Sequence, residues 1–172
     1  MPNWVYNSVV ISGDEDKLHE LFNKWSKPLE SDSDERFSFQ NIIPRPIEEE
    51  NNWYDWNCEH WGTKWDACEP DEFWDNDSLE LKFNTAWSQP EPIFEAIADV
   101  CREHGFGLTC YFEEEQGWGG EWELDAEGGW DMVEWDIPDC HADFVKRDKV
   151  CYCEIWEEQT WFSDCPRKGV AV

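Results

Sequence analysis

Positive charge is what this sequence has least of: 13 Lys and Arg stand against 41 Asp and Glu, a formal charge of −28. Nucleic acids and anionic membranes are held by clustered Lys and Arg that neutralise phosphate, so direct binding to either is excluded. Long apolar runs are missing too. None approaches the roughly 18 residues of a membrane span. The opening residues Met1 to Asn7 lack a basic stretch leading into an apolar one, so they do not read as an export signal. A cytoplasmic setting is therefore expected, with the eight cysteines as free thiols rather than disulfides.

Tryptophan, by contrast, is abundant, with 14 residues, and aromatics make up 16% of the chain. An acidic chain stays disordered when it has few such rings to bury. Here their burial offsets the entropy of ordering, and the chain is expected to fold despite its charge. The length suits one domain over 1–172, with a core at 1–127 and a packed β-rich C-terminal extension at 128–172. Trp130, Trp135, Trp156 and Trp161 argue against an exposed tail.

Residues 4–11 are β-branched and aromatic and predict a buried strand. Ser12 to Glu15 reads as a capping box, and Leu18, Leu21, Phe22 and Trp25 form the apolar stripe of the helix it opens, closed by Pro28. Residues 29–36 read as loop and Phe37–Ile43 as a short strand. The acidic stretch 48–77 predicts only a helical turn and a short strand at Thr63–Ala67. Leu79, Leu81, Phe83 and Thr85 alternate with polar neighbours in the clearest strand of the chain. A second capping box, Ser88 to Glu91, opens a helix with Ile93, Phe94, Ile97, Ala98 and Cys101 on one face and Gly105 at its end. Strands follow at 107–114 and 118–126 around a hairpin at Glu115–Gly117, with further pieces near 130–136 and 150–157. This order predicts an α+β fold, the ferredoxin-like split βαβ arrangement, with two helices on one face of a mostly antiparallel sheet. That fold name implies no iron–sulfur cluster.

Five blocks along this framework carry a resemblance. They are Met1-Pro-Asn-Trp4, Asn41-Ile-Ile-Pro44, Trp61-Gly-Thr-Lys-Trp-Asp66, Phe83-Asn-Thr-Ala-Trp-Ser88, and Tyr111 to Gly117 followed by Gly119-Gly120. In that order they resemble the YubB-like family, ferredoxin-like-domain proteins of phages, prophages and conjugative plasmids, over about residues 1–127. Members usually have a second proline close after the serine of the Phe83–Ser88 block; here Gln89 intervenes, and Pro90 and Pro92 follow. The resemblance implies the fold and a mobile-element origin; it implies no activity and no catalytic residue.

Chemical motifs are scarce. There is no phosphate-binding glycine loop followed by Lys, no nucleophile elbow and no cofactor signature, so no enzyme activity and no cofactor are expected. Cys140-His141 with Cys151 and Cys153, and Cys58 and His60 with Cys68, depart from zinc-ligand spacing and read as ordinary thiols and rings, so no metal site is assigned. Two candidate binding surfaces remain. One is a polar network of Lys64, Asp66 and Thr85 beneath Trp61, Trp65 and Trp87, either locking the tryptophan loop onto the sheet or receiving a small ligand or metal. The other is acidic: from Glu103 to Asp143 there are 13 acids and no Lys or Arg. Glu121 and Glu123 on one strand, and Glu113, Glu114 and Glu115 on its neighbour, form its expected centre. Folding compresses such charge against its own repulsion, beyond what solubility requires. The leading expectation is an interaction protein binding a basic host protein. Ordered carboxylates would imitate phosphate rows there, as in a DNA mimic that blocks a nucleic-acid-binding or defence effector.

Overall fold

Alternation in Trp4–Ser12 places Val5, Asn7, Val9 and Ile11 on one side and Tyr6, Ser8 and Val10 on the other, and this strand, β1, sits inside the sheet. The structure is a computed structural model describing residues 2–27 and 36–137. Pro28, most of the 29–36 loop, the strand near 150–157 and the Cys140, His141, Cys151 and Cys153 group lie outside the described residues. Two compact units are distinguished, Met1–Glu115 with Gly119–Trp135, and Gln116–Trp118 with Asp136–Val172. The first carries every element below.

After β1 come α1 (Glu15–Trp25), 3₁₀ turns at Phe39–Asn41 and Ile47–Asn52, and α2 (Trp53–His60). Then follow β2 (Cys68–Asp75), β3 (Ser78–Ala86), α3 (Glu91–His104), β4 (Gly107–Glu114), β5 (Gly119–Leu124) and β6 (Trp130–Trp135). The strands lie in the order β2-β3-β1-β4-β5-β6, each antiparallel to its neighbour. The first four make the ferredoxin-like split βαβ, with α1 packed on β3 and α3 on β4. This is the expected α+β arrangement, and β5 and β6 extend its sheet.

The core lies between the sheet and these two helices. Leu18, Leu21, Phe22 and Trp25 of α1, and Ile93, Phe94, Ile97 and Cys101 of α3, meet Val9, Leu81, Phe112 and Trp122 of the strands. Phe94, Phe112 and Trp122 form an edge-on cluster, with Trp122 centred 5.8 Å from Phe94 and 5.6 Å from Phe112. Losing one such ring costs about 3–5 kcal/mol.

Four local expectations are corrected. Ser12 ends β1, paired to Ser78 and Gly107, so Asp14 caps α1 instead, accepting from the Lys17 amide. Ser88 does not cap α3; its hydroxyl donates to the Gly62 carbonyl, and the Pro90 carbonyl begins the helix. Phe37–Ile43 is not a strand. After one bridge between Ser26 and Phe37, the amides of Ile42 and Ile43 both turn back to the Phe39 carbonyl. The strand expected at Thr63–Ala67 does not form: Thr63–Asp66 is a series of bends, and the ladder begins at Cys68. Gly105 closes α3 as expected, in the left-handed conformation at φ 68°. No helix among the described residues is long and apolar enough to cross a membrane.

Candidate functional site

Four of the sequence blocks meet at one end of the sheet. The Trp61 indole N–H donates to the Ile43 carbonyl, and Trp4 packs on Trp65 with centroids 6.1 Å apart. The Thr63 hydroxyl donates to the Ala86 carbonyl and accepts from the Ala86 amide. The Trp87 amide donates to the Asn3 carbonyl.

Asp66 organises the inner half. One carboxylate oxygen accepts from the Phe39 amide at 2.6 Å and the Ala67 amide at 2.8 Å. The other accepts from the Ser38 hydroxyl at 2.6 Å, and the Lys27 ammonium stands 3.9 Å away. Asn57 donates to the Lys64 carbonyl and accepts from the Arg45 guanidinium, which also lies 5.7 Å from the Trp61 ring centre. Around these groups opens a cleft of about 440 Å³ whose walls include Trp53, Trp61, Trp65, Arg45, Asn57 and Asp66. Its polar groups are engaged in holding the loops together, which makes this half a lock.

Lys64 leaves that network. It was expected to share a strand face with Asp66 and a network with Thr85. With Thr63–Ala67 irregular, its ammonium lies instead 4.5 Å from the Trp65 ring, 5.0 Å from Trp87 and 5.9 Å from Tyr54. Thr85 bonds to Asn7 and to the Ser88 carbonyl. Trp87 is 46% exposed and its backbone is left-handed at φ 72°. For a bulky residue that conformation costs about 1–3 kcal/mol and persists only when its surroundings hold it. Tyr54, Trp53, Arg45 and Asn57 had no sequence signal of their own.

The acidic residues divide by strand parity. The register sets Glu113 opposite Tyr6 and Gly119, Glu121 opposite Tyr111, and Glu123 opposite both Thr109 and Asp131. With Asp71 and Glu80 they lie on the sheet face away from α1 and α3, and Lys82 is the sole Lys or Arg on the described strands. Glu113 and Glu115 were expected to share a face on β4; the strand ends at Glu114, and Glu115 follows it with its amide donating to the Trp4 carbonyl. Glu114 points the other way and is buried on the helix-bearing side. Tyr6, Phe73 and Val133 are half-exposed among the acids, and the Tyr111 hydroxyl donates to Glu113 at 2.7 Å.

Reactive chemistry is scarce in the described residues. Burial pushes the Cys101 thiol up to about 12, and Cys110 is likewise raised well above its ordinary value. Neither thiol is a thiolate at neutral pH. No group of three or more His, Cys, Asp or Glu among the described residues is arranged to hold a metal ion. Cys58 is exposed, and His60 stacks on Trp56 rather than joining it.

Comparison with known proteins agrees with this architecture. Residues 60–164 match the family model described as the ferredoxin-like domain in Api92-like protein. The fold is similar to the crystal structure of protein api92 from Yersinia pseudotuberculosis, with a TM-score of 0.58 and 10% identity over 80% of this chain and 99% of that one. No curated protein matches.

Proposed function

This chain belongs to the family of ferredoxin-like domains of Api92-like proteins, and a fold does not by itself assign an activity; we propose that it works by binding rather than by turnover. Its partner is a basic surface on a host protein, met by the open face of the sheet. The observation that carries this is the face itself. Asp71, Glu80, Glu113, Glu121, Glu123 and Asp131 share it with Lys82, while exposed Tyr6, Phe73 and Val133 supply apolar contact between them. Glu123 and Asp131 stand directly opposite each other, a like-charge pairing that weakens a sheet until a cation lies between them.

A basic groove that normally holds nucleic acid is the surface such a face complements. In that reading the protein is a phage- or plasmid-borne DNA mimic acting against a host defence effector, in keeping with the YubB-like resemblance of its first 127 residues. Pull-down from host lysate at low and moderate salt tests it. The expected captured proteins bind nucleic acid, elute as salt screens the contact, and are lost with Glu121→Lys/Glu123→Lys while circular dichroism is unchanged. Capture indifferent to salt and to the double reversal would overturn it.

The cleft beside Asp66 supports a second reading, a small-ligand module. Its volume suits a ligand, and Arg45 has no ion-pair partner among the described residues. Loss of binding with Arg45→Ala, together with indifference to the reversals, would select it.

A further inference from the structure

What sets Lys64 apart is what surrounds its ammonium. Lys64 makes no ion pair among the described residues; its ammonium is enclosed by Trp65, Trp87 and Tyr54 at 4.5–5.9 Å from the ring centres. Three electron-rich ring faces around one point make a cation site, and here the protein's own side chain fills it. Two of the rings, Trp87 and Tyr54, are nearly half-exposed, so the site opens to solvent. The Trp87 backbone is held at a positive φ that an unconstrained tryptophan avoids, with its amide tied to the Asn3 carbonyl. That arrangement sets the indole as a wall.

The site also adjoins the acidic face. Trp4 packs on Trp65 and lies on the same side of β1 as Tyr6, which is paired with Glu113. A cation drawn in by the net charge of −28 can therefore pass from carboxylates to ring faces without leaving one surface.

We propose that Tyr54, Trp65 and Trp87 form an anchor site for an arginine side chain of the partner, kept closed in the free protein by Lys64 as an exchangeable internal occupant. Exchange favours arginine for a physical reason. A guanidinium is more weakly hydrated than an ammonium and stacks flat on indole, so it gains more from the rings than the departing Lys64 loses to water. A partner lysine offers the same group that Lys64 already supplies and gains nothing. The site thus adds a choice between arginine and lysine to a face that otherwise reads charge alone. The inference rests on the proposed basic partner for its biological role, but the site can be probed without one.

The experiment follows the Lys64 ε-methylene protons by NMR, which ring currents shift upfield while the side chain is enclosed. The intact protein is titrated with N-acetyl-arginine amide and, separately, with N-acetyl-lysine amide. The arginine probe is expected to return the Lys64 signals to free-lysine positions, and the lysine probe to leave them in place. Lys64→Gln removes the competitor and should tighten arginine binding by about fivefold or more. Trp87→Ala in that background should abolish it. Lys64 signals unmoved by saturating arginine, or no tightening in Lys64→Gln, would overturn the site. Equal-charge octa-arginine and octa-lysine peptides separate the two proposals. Salt-sensitive binding of both with no preference lost in Trp87→Ala refutes the anchor and leaves the acidic face standing. Displacement of Lys64 by the small probe without salt-sensitive peptide binding does the reverse.

Discussion

Asp66 allows the lock to be tested quantitatively. Replacing it with alanine removes the acceptor of two backbone amides, Phe39 at 2.6 Å and Ala67 at 2.8 Å, and of the Ser38 hydroxyl at 2.6 Å. Hydrogen bonds to a charged group contribute about 1.5–3 kcal/mol each. Their sum overstates the loss, because the Asp66 side chain is 27% exposed and water can replace part of it. The Lys27 pair at 3.9 Å, itself half-exposed, adds little. The expected cost of Asp66→Ala is about 3 kcal/mol, which for a chain of this size lowers Tm by about 6–12 °C. Asp66→Asn keeps one oxygen for both amides and offers an N–H₂ to the Ser38 hydroxyl, which can rotate to accept it. It should cost about 1 kcal/mol. Denaturant unfolding monitored by tryptophan fluorescence measures both, read as a shift in midpoint at constant slope. If alanine costs less than about 0.5 kcal/mol, or if asparagine and alanine are equally harmful, the loop is not held by these bonds.

Three further outcomes are expected. A Cβ on Gly119 would lie 2.3 Å from the Phe112 carbonyl oxygen, and one on Gly120 2.7 Å from the Phe112 ring, so Gly119→Ala and Gly120→Ala should each destabilise by about 1–3 kcal/mol, the former more because backbone must move. Unchanged melting temperatures would refute that close approach. Mass-mapped alkylation at pH 8 should label Cys58 quickly while Cys101 and Cys110 stay protected until unfolding; equal rates would contradict their burial. Asp125 accepts the amides of Gly129 and Glu127, which hold its carboxyl below the ordinary 3.8. Its contribution is therefore present above pH 3.8 and lost as pH falls through the lower folded value, and NMR titration of Asp125 showing a value at or above 3.8 would contradict it.

Elements whose residues answer to one local rule were legible in the sequence. The alternation of Leu79, Leu81 and Phe83 marks β3, and the stripe of Ile93, Phe94 and Ile97 marks α3, because one covered face imposes its period on the chain. The errors lie where a distant partner decides. Phe37–Ile43 has strand-forming residues, yet the carboxylate of Asp66, 27 positions away from Phe39, captures its amide and turns the chain. Asp66 and Lys64 were singled out together, but their shared face depended on a strand that bonds to Ser38, Phe39 and Ala86 prevent. Arg45 and Asn57 occupy no periodic pattern, and Tyr54 looked like any ring in a tryptophan-dense stretch. On the hairpin, parity placed Glu121 and Glu123 together, and the same rule turned Glu114 away from Glu113.

The acidic face and the core are built from the same strands, which raises the question of how a sheet tolerates that much like charge. β5 answers it on a scale of single residues. Glu121 and Glu123 flank Trp122, and the cross-strand pairing of Glu123 with Asp131 costs about 0.2–1 kcal/mol. Trp122, 3% exposed between Phe94, Phe112 and Trp130, returns at least the 1.5–3 kcal/mol or so of a fully buried large apolar side chain. Its indole N–H also reaches Glu134 at 3.0 Å, so the ring carries no unmet donor into the core. One buried ring therefore outweighs the repulsion of the acids beside it, and alternation keeps the two effects on opposite sides of the backbone. The open face is thus free to carry charge that the fold does not need, and reversing that charge should alter what the protein binds well before it alters whether the protein folds.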